Sequence, residues 1–143
     1  MKILFLDIDG VLNSVRSCIA FDGYPYSNSN YEKFDDIAVN LIRKLCKTTN
    51  TKIILSSTWR LFKGWDKLYE VLNLPIIDKT PHKLSSTRGE EIDMWLSNNK
   101  VDKYAIVDDD NDILVYQLPY FVKVDNTNGL SYENYLQLLK LLK

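Results

Sequence analysis

The chain has 143 residues, enough for one domain with a real core and too few for two comfortable ones. Its 18 Lys and Arg against 19 Asp and Glu leave a formal net charge of -1, so no global basic field advertises nucleic acid and any polyanion must be met locally. Cys18 and Cys46 lack metal-ligand spacing, Asp7 interrupts the first apolar run too early for a signal peptide, and no apolar run approaches the roughly 18 residues of a membrane span. A single domain over residues 1–143 is expected, soluble and intracellular (cytoplasmic), with no membrane partner; the oligomeric state is left open.

Ile3 to Leu6 form an unbroken apolar run, the pattern of a strand buried on both faces of a parallel sheet. The run ends in Asp7-Ile8-Asp9-Gly10, two acids at i, i+2 and a glycine that lets the backbone turn and a ligand approach. Two acids so close repel each other unless a cation or a shared proton intervenes. Residues 13–34, rich in Ser, Asn and Tyr, read as a flap or loop excursion, in which Tyr24, Tyr26 and Tyr31 could form an aromatic platform. Asp35 caps a predicted helix with Ile37, Ala38, Leu41, Ile42, Leu45 and Cys46 at helical spacing.

Thr51 to Leu55 is the second predicted strand and ends in Ser56-Ser57-Thr58. A helix is expected over Leu61 to Leu72, then a short strand at Ile76-Ile77. Thr87 and Glu90 have capping-box spacing ahead of the apolar face Ile92, Trp95 and Leu96. Tyr104 to Val107 is the fourth strand and runs into Asp108-Asp109-Asp110-Asn111-Asp112; Tyr120 to Val124 is the fifth, and Ser131 to Leu142 a closing helix. Strands and helices alternating at this spacing predict an α/β fold, a doubly wound, Rossmann-like parallel sheet of about five strands with helices on both faces.

In such a sheet all strand ends lie on one edge, where ligands gather. Asp7, Asp9, Ser56, Asp108 and Asp109 would meet there with Arg88 from a helix start: a hard-oxygen cage suited to Mg²⁺, a hydroxyl donor and a guanidinium. That is an inventory for phosphoryl transfer. His82, beside Pro81, reads as a loop residue, and Asp110 as an acidic cap.

These four stretches resemble the motifs of the haloacid dehalogenase (HAD) superfamily: Asp7-Ile8-Asp9-Gly10, then Lys52 to Ser56, then Arg88 or alternatively Lys83, then Ala105 to Asp109 with Asp112. Ser57-Thr58-Trp59-Arg60, Arg88-Gly89-x-Glu91-Ile92 and Gly129-Leu130-Ser131 are similar to the HAD domains found with nucleic-acid repair enzymes. The resemblance implies a capless phosphatase, because neither gap between motifs has room for a full cap domain. It implies Asp7 as nucleophile and Asp9 as acid and base. Ser56, Ser57, Arg88 and Gly10 would meet the phosphate, and Mg²⁺ would sit on Asp7, the carbonyl of Asp9, Asp108 and Asp109. Arg16, Arg60, Trp59 (by stacking a base) and Lys83 are possible substrate contacts.

The expected activity is a Mg²⁺-dependent phosphomonoesterase acting on a terminal, preferentially 3′, phosphate of nucleic acid. A nucleoside-monophosphate phosphatase is the alternative. A phospho-accepting signalling module would carry its acids after other strands, and a glycosyltransferase explains neither Ser56 nor Asp108.

Overall fold

A computed structural model describes residues 1–21 and 34–143. Its strands are β1 (Lys2–Leu6), β2 (Thr51–Leu55), β3 (Ile76–Lys79), β4 (Lys103–Asp108) and β5 (Phe121–Lys123). The helices are α1 (Val15–Ala20), α2 (Asp36–Thr49), α3 (Leu68–Leu72), α4 (Arg88–Ser97) and α5 (Tyr132–Leu142). The strands pair in parallel in the order β3-β2-β1-β4-β5. The sheet grows one way from β1 through β2 to β3, and the other way through β4 to β5. The order reverses between β1 and β4, and the crevice beyond the strand ends at such a switch point is where a ligand can enter.

Alternation along the strands divides the interior in two. Leu4, Leu6, Ile53, Leu55, Ala105 and Val107 face a core completed by α2 and α5, with Ile42, Leu45 and Leu138 fully buried in it. Ile3, Phe5, Ile54 and Ile106 face a second core under α4, built on Ile92 and on Trp95, whose ring meets Phe5 edge-on. Both faces are therefore covered, which is why β1 can be apolar at every position from Ile3 to Leu6. The fold is the expected doubly wound α/β sheet, and no cap domain lies among the described residues. No described helix is long and apolar enough to cross a membrane.

Local chemistry sets the helix ends. Asp35 Oδ1 accepts from the Ile37 and Ala38 amides at 3.0 and 3.4 Å, and Asn50, left-handed at φ 55°, ends α2. Thr87 and Glu90 form the expected capping box at α4. The helix expected over Leu61 to Leu72 is corrected: a 3₁₀ turn at Thr58–Leu61 and another at Trp65–Lys67 precede the short α3. Gly64 between them takes φ 89°, a left-handed conformation that interrupts a continuous helix. The 13–34 excursion contains α1, opened by a Ser14–Ser17 capping box, while Tyr24, Tyr26 and Tyr31 lie outside the described residues.

Candidate active site

The parallel register carries three polar residues to one row. Leu6 pairs with Leu55 on one side and with Val107 on the other, and one step further stand Ser56, Asp7 and Asp108. The backbone continues that step: Ser56 N–H donates to the Leu6 carbonyl at 3.0 Å and Asp7 N–H to the Val107 carbonyl at 3.1 Å. Each follows an α4-facing residue (Ile54, Phe5 and Ile106) by two, so all three share the face on which α4 begins.

Arg88, the first residue of α4, reaches this row: its Nη1 donates to Asp108 Oδ2 at 2.8 Å and lies 3.4 Å from Asp7 Oδ1. The α4 start is clamped for this task. The Arg88 amide donates to Asp112 Oδ2, the Gly89 amide to the Asp112 carbonyl, and buried Gln117 donates to the Gly89 carbonyl while accepting from the Leu114 amide. A Cβ at Gly89 would lie 2.7 Å from Ile113 Cα, so only glycine lets the helix approach this closely. Asp110 is no helix cap; its amide donates to Asp108 Oδ1 at 3.0 Å and holds that carboxylate in place.

Carboxylate oxygens of Asp7, Asp108 and Asp109 lie within 4.8 Å of one another. Burial and the facing Asp108 push the Asp7 carboxyl well above the usual carboxylate range, against the pull of Arg88. Burial likewise pushes Asp108 up to about 6, with Arg88 opposing. Burial works against the Arg88 charge too, but Asp108 and Asp7 outweigh it and hold the guanidinium protonated. The acids that burial keeps from ionising could do so beside a cation: three carboxylates against one guanidinium would then leave an excess of two negative charges, which one divalent cation balances. The donors are all hard oxygens, so the set fits Mg²⁺.

Asp9 stands apart from this cluster. Its Oδ1 accepts from Trp59 Nε1 at 3.0 Å and from Asn13 Nδ2 at 2.9 Å. Gly10 donates its N–H to Asn13 Oδ1 at 2.9 Å, which ties the loop together beside Asp9. The role of Gly10 is close approach: it sits at φ 83°, and a Cβ there would overlap the Asp109 carboxylate, 2.7 Å from Cγ. Gly10→Ala should therefore destabilise the fold by about 1–3 kcal/mol, read as a lower urea midpoint at unchanged m-value. A loss below about 0.5 kcal/mol would show that the loop relaxes freely.

The model of a family described as "HAD domain in Swiss Army Knife RNA repair proteins" matches residues 3–135. The chain belongs to this HAD family. Comparison with curated proteins and with solved structures gives no match. Membership places the domain among HAD-type phosphatases and hydrolases, whose general use of Mg²⁺ agrees with the acid cluster at its β1 and β4 ends.

In this HAD domain the loop after β2 is braced from below. Ser56 and Ser57 are wholly buried. Ser56 Oγ has no hydrogen-bond partner among the described residues, while Ser57 Oγ accepts from the Trp59 amide at 3.3 Å and caps the 3₁₀ turn. Arg60, expected as a possible substrate contact, is turned inward. Its side chain is 3% exposed, donates through Nη1 to the Ser56 and Ser57 carbonyls at 3.1 and 2.8 Å, and pairs through Nη2 with Glu91. Burial lowers the Arg60 pKa and Glu91 opposes that fall. Glu91, equally buried, also meets His82 Nδ1 and the Ser86 hydroxyl.

Trp59 is likewise more than a base-stacking platform, since its indole N–H goes to Asp9 and its ring packs against Phe34 and Phe62. Of the two cations considered for the third motif, Arg88 contacts the carboxylates, while Lys83 lies in an exposed turn. Arg16 is exposed on α1 and lines a cleft with Asn128 and Tyr132. Glu91 and Gln117 are supports whose part emerges in the fold. Glu91 has a sequence signal, its i+3 offset from Arg88, which puts both on the sheet-facing side of α4; Gln117 has none.

Proposed function

We propose that this domain is a Mg²⁺-dependent phosphomonoesterase that works through an aspartyl-phosphate on Asp7, with the 3′-terminal phosphate of a nucleic acid as favoured substrate. The observation that carries the chemistry is the row Ser56, Asp7, Asp108 with Arg88 against it. A carboxylate oxygen of Asp7 attacks phosphorus as the ester P–O bond breaks. Asp9 gives a proton to the departing oxygen, then takes one from the water that cleaves the aspartyl-phosphate and returns Asp7 with inorganic phosphate. Ser56 Oγ, buried without a protein partner, and the Arg88 guanidinium are the donors available to the phosphoryl oxygens. Asp7, Asp108 and Asp109, with the Asp9 carbonyl, would hold Mg²⁺, which when bound supplies positive charge against the phosphoryl oxygens and the clustered acids. Chelation with EDTA should abolish turnover, and excess Mg²⁺ should restore it; full activity after chelation would sink the metal reading.

The RNA repair proteins named in the family description support a nucleic-acid end as substrate. The short gaps between motifs support it too, because no cap domain among the described residues closes over the strand ends and a large ligand can approach there. A mononucleotide is the second reading, favoured by the withdrawal of Arg60 into its ion pair with Glu91. We expect a 3′-phosphorylated oligonucleotide to be hydrolysed with higher kcat/KM than a mononucleotide, since remote binding accelerates chemistry only when it is realised in the transition state. With Arg16 as the remaining flanking cation considered, the preference should fall gently with salt, with a log–log slope of about -1. If mononucleotides match oligonucleotides at every ionic strength, the domain is a small-molecule nucleotidase.

A further inference from the structure

Asp9 has its two carboxyl oxygens in different situations. Oδ1 accepts two N–H donors, Trp59 Nε1 at 3.0 Å and Asn13 Nδ2 at 2.9 Å. The orientation of the Asn13 amide is settled by its other end: Oδ1 of Asn13 accepts the Gly10 N–H at 2.9 Å, so Nδ2 must face Asp9. A carboxyl oxygen offers two lone pairs, and on Oδ1 both are engaged by donors. A proton placed on Oδ1 would displace one of them, so the transferable proton belongs on Oδ2.

We infer that Trp59 is a positioning residue for the acid–base carboxyl: its indole N–H, together with Asn13, pins Asp9 Oδ1 and makes Oδ2 the oxygen that exchanges a proton with the leaving group. The inference rests on the reading of Asp9 as general acid and deepens it. Trp59 is well placed to be rigid. It sits in the 3₁₀ turn Thr58–Leu61 shortly after β2, its amide is capped by Ser57 Oγ, and its ring is held by Phe34 at 5.5 Å and by Phe62 edge-on at 6.3 Å. Beneath it, Arg60 locks the carbonyls of Ser56 and Ser57. The loop that sets Ser56 in the row thus also carries the donor that orients Asp9, which couples phosphate holding and proton transfer through one short turn. An indole also suits the task chemically: it is a donor only, so it cannot turn and compete for the proton.

The test uses the leaving group. An alkyl phosphate needs its departing oxygen protonated, whereas p-nitrophenyl phosphate leaves as a stable phenolate and needs little help. The measured quantity is the ratio of kcat/KM for an alkyl phosphate to that for p-nitrophenyl phosphate, because kcat/KM reports the first phosphoryl transfer and not the later hydrolysis. Trp59→Phe keeps the aromatic packing and removes the N–H; it should lower the ratio about tenfold. Incorporating benzothienylalanine at position 59 keeps the full bicyclic shape without the N–H, so it should lower the ratio equally even if Trp59→Phe folds poorly. Asp9→Asn, which removes the acid itself, should lower the ratio by about 10²-fold or more. A role confined to packing would reduce both substrates alike and leave the ratio unmoved. If Asp9→Asn collapses the ratio while both Trp59 replacements preserve it, the positioning inference is overturned and the acid reading stands. If Asp9→Asn itself preserves the ratio, Asp9 is not the acid and both fall.

Discussion

Replacing Asp7 with Asn should lower phosphomonoester turnover by about four orders of magnitude or more, because an amide keeps the shape of the strand tip and removes the oxygen anion proposed to attack phosphorus. The loss should come without loss of fold. Asp7 is buried at the end of a strand buried from Ile3 to Leu6, its carboxyl is pushed up by burial and by Asp108, and the amide eases that crowding. Arg88 keeps its 2.8 Å partner, Asp108. The thermal midpoint of the metal-free variant should therefore equal or exceed that of the parent. A phosphoenzyme trapped by rapid quench in the parent should vanish in the variant. Turnover within tenfold of the parent would remove Asp7 from the nucleophile's role, whatever the rest of the site does.

The second large effect is structural and lies at Arg60 and Glu91. Both side chains are nearly inaccessible, so Glu91→Ala strands a buried guanidinium and should cost about 3–5 kcal/mol in chemical denaturation. The paired replacement Arg60→Met with Glu91→Leu removes both charges and should recover much of that stability, since apolar groups of similar volume often match a buried ion pair. Activity should not recover with it. The Ser56 and Ser57 carbonyls would lose their donors at 3.1 and 2.8 Å, and with them the brace that sets Ser56 in the row with Asp7 and Asp108. A double variant that regains both stability and turnover would show that Arg60 serves packing alone. A Glu91→Ala variant within about 1 kcal/mol of the parent would show that water reaches the pair.

The sequence by itself determined the sheet and its polar edge. Unbroken apolar runs at Ile3–Leu6 and Ile53–Leu55 call for burial on both faces, and their alternation with helical stretches points to a parallel sheet with helices on either side. The acids and serine that end those runs then fall on one edge, since the strands are parallel. Asp35 and Thr87 marked their helix starts because capping is local chemistry, with donor and acceptor three residues or fewer apart. Leu61 to Leu72 carries enough apolar residues for one helical face, yet Gly64, at φ 89°, divides the stretch into separate turns.

Tertiary structure alone decided the assignments that depend on distance through space. Arg60 looks in sequence like any surface arginine near a phosphate site; what buries it is Glu91, 31 positions away on another helix. Trp59 and Asp9 are 50 positions apart, and only the pairing of β1 with β2 brings the indole N–H to that carboxylate. That Arg88 contacts Asp7 and Asp108 follows from the docking of α4 on the loop after β4 through Gly89, Asp112 and Gln117. Burial and hydrogen bonding between distant segments are properties of the packed chain. A run of residues records which groups need partners, and the fold decides which partners they receive.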